Sequence, residues 1–213
     1  MKVIAMVCQK GGTSKTTLAL NLAVAAQQQG QETVVIDLDP QVSAYDWKDI
    51  RGEERAPTVA AVPAPHLDRT LKAAAASGAD LVIIDTAGRA NDVAAAAARV
   101  ADAILIPMQP SLIDLKTLQA TLSAIAMSGN DAPVRVVLSR VKAFGTRHED
   151  SAEWLSHAQV DICPVLIGER VVFQDAYGRG LGVVEVEPGG KAAEEIRELY
   201  KYTCQLFDMR AGG

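Results

Sequence analysis

Aromatic side chains are scarce in this chain: two Trp, four Tyr and three Phe make up 4% of the residues. A core built around large rings is therefore excluded. The 49% hydrophobic content, rich in alanine, points instead to aliphatic strands under close-packed, small-residue helices. Cysteine is equally sparse. Cys8, Cys163 and Cys204 lie far apart and form no C-x-x-C pair, which suits a reducing compartment and argues against a cysteine metal site. Positive charge is in deficit, with 21 Lys and Arg against 26 Asp and Glu and a net charge of −5. The field of the whole molecule thus favours neither nucleic acid nor an anionic membrane, and any DNA contact must use a local patch. No apolar run reaches the length of a bilayer span, and Met1-Lys2 leads straight into a strand-like segment rather than a signal peptide. The expectation is a cytoplasmic protein with no membrane partner.

What the chain does contain is a repeating alternation of strand and helix patterns, seven or so times over 213 residues, with no repeat or low-complexity linker. That alternation predicts an α/β fold, a doubly wound and mostly parallel sheet with helices on both faces, spanning residues 1–213 as one domain. The first unit carries the strongest signal. An apolar strand from Val3 to Cys8 is joined to a helix from Thr16 to Gln29 by Gln9-Lys10-Gly11-Gly12-Thr13-Ser14-Lys15. Two adjacent glycines let backbone N–H groups turn inward on an anion, and the helix N-terminus adds its positive dipole end. Lys15 and Thr16 supply an ammonium and a metal-binding hydroxyl. The standard phosphate-loop pattern G-x-x-x-x-G-K-[ST] is not met, because Gln9 and Ser14 stand where it requires glycine. The fit is to a variant, K-G-G-x-x-K-[ST], with an additional lysine, Lys10, at its start.

Two further strands end in acids. Thr33 to Ile36 runs into Asp37-Leu38-Asp39-Pro40-Gln41, and Leu81 to Ile84 runs into Asp85-Thr86-Ala87-Gly88. In an open parallel sheet the carboxyl ends of the strands face the ligand crevice, which would set Asp37, Asp39 and Asp85 beside anything held by the first loop. Ordinary Asp-Pro turn chemistry explains Asp39-Pro40 but not Asp37. An acid followed by small residues has the form of a Walker-B strand, whose carboxylate supports Mg²⁺.

Elsewhere, helices are expected from Val42 to Arg51, Pro65 to Ser77 (with Gly78 as C-cap), Asn91 to Val100, Ser111 to Met127, Glu149 to Gln159 and Lys191 to Leu206. Strands are expected from Pro57 to Pro63 at an edge, Ala103 to Pro107, Pro133 to Ser139 and Ile162 to Ile167. Ser111 and Asp114 have capping-box spacing. Lys142 to Arg147 reads as a basic loop, and Trp154 and His157 as packing residues.

The chain resembles the deviant Walker-A ATPases, the ParA/MinD group, over nearly its whole length. Lys10-Gly11-Gly12-Thr13-Ser14-Lys15-Thr16-Thr17 is similar to the deviant Walker A, Asp37-Leu38-Asp39-Pro40-Gln41 to the Walker A′ box, and Asp85-Thr86-Ala87 to the Walker B. Arg170 to Ala176 and Pro188 to Ala193 are similar to stretches of small ParA proteins. The resemblance implies that residues 10–17 bind ATP, that Lys15 takes the β- and γ-phosphate oxygens, and that Thr16 ligates Mg²⁺ with Asp37 and Asp85 in support. It implies that Asp39 positions the attacking water, and that Lys10 reaches across an ATP-bound homodimer to the partner's nucleotide. Arg140 and the Ile167-Gly168 loop are expected beside the adenine. Ser14 departs from the family's usual glycine, which bears on the rate of turnover. Strand one starts at residue 2, so the small form without an N-terminal helix-turn-helix is expected.

Three uses of such a switch stay open. One is a partition ATPase that binds DNA non-specifically, with Lys142, Arg147, Arg170 and Arg179 as candidate contacts, and whose hydrolysis a ParB-like or other cargo adaptor stimulates. Another is the same ATPase positioning a protein cargo, a microcompartment or chemoreceptor cluster. A third is a metabolic enzyme of the dethiobiotin-synthetase type.

Overall fold

The computed structural model describes residues 1–52, 55–88, 90–143, 155 and 160–211, with side chains described for all of these except 112–116 and 209–211. Six strands form one sheet: β1 (Lys2–Met6), β2 (Thr33–Asp37), β3 (Thr58–Ala61), β4 (Leu81–Asp85), β5 (Ala103–Met108) and β6 (Val134–Leu138). Their order is β3-β2-β4-β1-β5-β6, and every pairing is parallel. The helices are α1 (Lys15–Gln28), α2 (Ser43–Arg51), α3 (Leu67–Ala76), α4 (Asn91–Val100), α5 (Leu112–Ala126), α6 (Val172–Gly178), α7 (Val183–Val186) and α8 (Lys191–Ala211).

Side-chain alternation along the central strands divides the interior in two. Ile4 and Met6 of β1, with Leu81 and Ile83 of β4, face a core that includes α1, Trp47 of α2 and α8. Val3 and Ala5, with Val82 and Ile84, face a second core under α3, α4 and α5. A sheet buried on both faces needs apolar residues at every position, which is why these strands read as continuous runs. The helices fall on opposite faces because the chain reverses direction across the sheet. It moves outward from β1 to β3 through α1 and α2, then returns to β6 through α3, α4 and α5, and right-handed crossovers place the two sets on opposite sides. Alanine permits the close approach: α1 is buried from Leu18 to Ala26 with four alanines among the nine residues.

β3 lies at the sheet edge, as the prolines flanking it require. The expected strand from Ile162 to Ile167 is not one: this segment follows β6 through isolated bridges at Val136–Ile162 and Val141–Gly168 and a bond from the Ile167 amide to the Leu138 carbonyl at 2.9 Å. Pro164 has no amide to donate, and the next amide, Val165, turns to Cys163 Sγ at 3.4 Å. The helix expected from Glu149 to Gln159, with Trp154 and His157, lies outside the described residues apart from Leu155, which is buried. The side chain of Asp114 lies outside them too.

Candidate nucleotide site

Three loops leave the sheet at one level. Met6 of β1 pairs in register with Asp85 of β4, and Asp85 pairs with Asp37 of β2. The loops following β1, β2 and β4 therefore converge at the carboxyl edge, where an open α/β sheet places its ligand.

The first loop closes on itself. The carbonyl of Lys10 accepts the Thr13 hydroxyl at 3.3 Å and the Lys15 ammonium at 3.1 Å, so Lys15, 7% exposed, is folded over the loop rather than out to solvent. Gly11 and Gly12 are exposed, and Gly12 adopts φ 75°. Ser14 adopts φ 74°, a left-handed conformation that glycine takes without cost and a residue with Cβ does not. Serine at this position thus bears a local strain that a glycine would not. The loop is braced from outside by residues distant in sequence. Gln109 Nε2 donates to the Gly12 carbonyl at 3.0 Å, and Ser139 Oγ to the Thr13 carbonyl at 3.1 Å. The Gln9 amide donates to Thr121 Oγ1 at 3.2 Å, and the Gln9 side chain meets Asn91. Gly88 packs against the loop so closely that a Cβ there would stand 3.1 Å from the Gly11 nitrogen.

The acids differ in what they hold. Asp37 is buried and both its oxygens are engaged: Oδ1 accepts the Asp39 amide at 2.9 Å, and Oδ2 accepts the amides of Ala44 at 2.9 Å and Tyr45 at 3.4 Å. It folds the second loop and starts α2, and burial raises its pKa despite these amides. Asp39 is half-buried and accepts the Gln41 amide through Oδ1 at 2.9 Å. With Lys10, Gly11, Pro40 and Gly88 it lines an open cleft of about 580 Å³.

Asp85 is the outlier. Its Oδ2 accepts the Thr16 hydroxyl at 2.6 Å, whereas Oδ1 is buried with no partner. Desolvation, with the charges of Asp37 and Asp39 against that of Lys15 and the Thr16 bond, raises its pKa to about 7. An orphaned carboxylate oxygen beside a hydroxyl is a hard-oxygen donor set of the kind Mg²⁺ takes. Among the described residues no group of three His, Cys, Asp or Glu is placed to hold a metal alone. That suits an ion held by one or two protein oxygens and completed by phosphates.

A second cavity of about 240 Å³ opens beside the first turn of α1, bounded by Ser14, Thr17 and Leu18 on one side and by Arg140, Ile167 and Gly168 on the other. Phe173, Gln174 and Tyr177 of α6 complete it. Arg140 stands exposed at φ 52°. Arg170, part exposed, also lines this cavity, and its guanidinium pairs with Glu195 of α8 at 2.5 Å. Glu195 takes the Gly168 amide as well, at 3.1 Å. Lys142 and Arg179 are exposed, and Arg147 lies outside the described residues.

Comparison with known proteins gives the same picture. Residues 4–183 match the family described as the CobQ/CobB/MinD/ParA nucleotide binding domain. The chain is 34% identical over 211 residues to "Maintenance of carboxysome distribution protein A" of Gloeobacter kilaueensis, covering 97% of this chain and 94% of that one. It is 24% identical to "Chromosome-partitioning ATPase Soj" of Thermus thermophilus, with 92% of each covered. In structure it is similar to MinD in the MinC:MinD cell division protein complex of Aquifex aeolicus, with a TM-score of 0.78, 19% identity and 96% of each chain covered. Among the described residues no helix is long and apolar enough to cross a membrane.

Proposed function

The chain belongs to the CobQ/CobB/MinD/ParA nucleotide-binding family, whose ParA/MinD-type members are ATPases of positioning and partition, and from that premise we propose that it is an ATP-driven dimerisation switch. With ATP bound it forms a homodimer that binds DNA non-specifically; hydrolysis, stimulated by a ParB-like or other cargo adaptor, dissolves the dimer. The observation that carries this reading is the convergence of the Lys10–Thr17 loop, Asp39 and the orphaned Asp85 oxygen at one sheet edge.

Each side chain has a task there. The backbone amides around Gly11 and Gly12, the α1 N-terminus and Lys15 bind phosphate oxygens. Thr16 and Asp85 would hold Mg²⁺, with Asp37 behind them, and the ion supplies positive charge opposite the phosphates. Asp39, at the open cleft beside Lys10, orients water for attack. Lys10 meets the nucleotide of a second copy and offsets the charge that grows in the transition state. The cavity bounded by Thr17, Arg140 and Gly168 takes the base. Of the candidate DNA contacts Lys142, Arg147, Arg170 and Arg179, Lys142 and Arg179 are the two exposed among the described residues.

Gel filtration with ATP tests the switch: Asp39→Ala accumulates as a dimer, and Lys10→Ala loses hydrolysis. A chain that stays monomeric with ATP in every variant overturns it. DNA retardation by the ATP form at low salt tests the cargo platform. The 34% identity to a carboxysome distribution protein favours a second reading, in which the same switch positions a protein assembly. The adaptor that accelerates hydrolysis distinguishes the two: a DNA-bound protein for partition, a component of the assembly for positioning.

A further inference from the structure

One side chain belongs to both the base cavity and the Asp39 loop. Tyr177, on the last turn of α6, lines the cavity opposite Thr17 and Leu18, and its hydroxyl donates to the carbonyl of Ser43 at 2.8 Å. Ser43 is the first residue of α2. Desolvation, with Asp46 and Asp37 nearby, raises the phenol's pKa and keeps it a donor.

This bond is one of three along a single face of α2. Trp47 Nε1 donates to the Leu181 carbonyl at 3.4 Å, and Arg51 Nη1 to the Gly180 carbonyl at 2.8 Å. Residues 43, 47 and 51 stand at i, i+4 and i+8, one above another on the helix surface. The segment from α6 to α7 is therefore strapped along α2. Gly180 lets it approach: a Cβ there would stand 2.4 Å from the Arg51 nitrogen.

At its other end, the start of α2 is the end of the Asp39 loop. Val42 donates to the Asp39 carbonyl at 2.8 Å, and Ala44 and Tyr45 donate to Asp37. Between these anchors Val42 is held at φ 49°, which a β-branched residue adopts only when its surroundings impose it. The turn that places Asp39 is thus fixed on one side by Asp37 and on the other by Tyr177.

We propose that Tyr177 is a positioning residue that couples filling of the base cavity to the placement of Asp39. A base seated against its ring fixes the ring, the ring fixes the hydroxyl on Ser43, and the start of α2 tightens with the Asp39 turn. Binding energy from the non-reacting end of the nucleotide is thereby spent on orientation at the reacting end. The inference rests on the ATPase reading above.

Tyr177→Phe keeps the ring and removes the tie. The test combines binding of the non-hydrolysable analogue AMPPNP, steady-state hydrolysis, and hydrogen exchange of the amides of residues 44–46 with and without AMPPNP. In the wild type, AMPPNP slows exchange at these amides. In Tyr177→Phe the Kd for AMPPNP stays within about twofold, exchange no longer slows on binding, and kcat falls roughly fivefold or more, consistent with loss of an orienting contact. Tyr177→Ala, which also removes the cavity wall, raises Kd in addition. Slowed exchange in Tyr177→Phe equal to the wild type, or an unchanged kcat, overturns the coupling. A wild type that binds no AMPPNP overturns the nucleotide reading itself, and the two failures are distinct.

Discussion

The hydroxyl of Thr16 stands 2.6 Å from Oδ2 of Asp85, while Oδ1 of the same carboxylate is buried with no partner. A helix N-terminus and a strand C-terminus, 69 residues apart in sequence, thus meet at one polar point inside the fold. The cost of burying Asp85 is not fully offset by Thr16 and Lys15, and this contributes to the pH response of the protein near neutrality.

The folded pKa of Asp85 is raised from 3.8 to about 7, so the unfolded chain releases this proton more readily than the folded one. The contribution of Asp85 to stability is then greatest below its unfolded pKa, falls between about pH 4 and pH 7, and levels above that. Asp37, shifted in the same direction, adds to the slope. Thermal unfolding without nucleotide or metal will show a lower Tm at pH 8 than at pH 5.5, and Asp85→Asn will reduce the difference. An equal or steeper slope in Asp85→Asn contradicts this assignment.

Ser14 at φ 74° carries a local strain of about 1–2 kcal/mol that glycine does not. Against it stands glycine's greater loss of backbone freedom, about 0.5–1 kcal/mol. Ser14→Gly will therefore stabilise the protein slightly and raise Tm by roughly 2–4 °C, as about 1 kcal/mol does in a domain of this size. Calorimetry decides it; a lower Tm means Ser14 makes a contact that outweighs its strain.

Gly180 is irreplaceable for steric reasons. Its φ is +62°, and a Cβ would fall 2.4 Å from the nitrogen and 2.5 Å from the Cα of Arg51, both backbone atoms that cannot swing aside. Gly180→Ala will cost about 2–4 kcal/mol, at the upper end of overpacking effects. Gly189→Ala, with nothing within 4 Å of the added atom, will be near neutral. Urea unfolding of the pair gives the comparison directly.

Arg170 and Arg179, nine residues apart, will separate functionally. Arg170 is paired with Glu195 in the wall of the cavity beside α1, whereas Arg179 is exposed. Arg170→Ala will weaken AMPPNP binding, while Arg179→Ala will weaken DNA retardation and flatten its salt dependence by the loss of about one phosphate contact. Reversed effects would remove Arg179 from the DNA surface.

Much of this fold was legible because its physics is local. A strand buried on both faces must be apolar throughout, as Leu81 to Ile84 is, and the helix Asn91–Val100 falls where its run of alanines places it. The segment from Ile162 to Ile167 has the composition of a strand, but Pro164 breaks its ladder and leaves isolated bridges to the β6 side. Trp47 on α2 carries no local signal that separates packing from an interface role. Its position, 1% exposed in the core under α2, settles on packing.

By itself the sequence determined the alternating α/β architecture and the glycine loop between β1 and α1, and it marked the strand-end acids Asp37 and Asp85, because spacing along the chain encodes both periodicity and turns. Only the tertiary structure decided how the two acids divide their work. Both oxygens of Asp37 are taken by amides of its own loop, while one oxygen of Asp85 is left without a partner. Only the tertiary structure assigned Arg170 to Glu195, Tyr177 to Ser43 and Gly180 to the backbone of Arg51. Such pairings depend on which helix lies against which across 25 to 134 residues of intervening chain, and no local pattern of residue types carries that information.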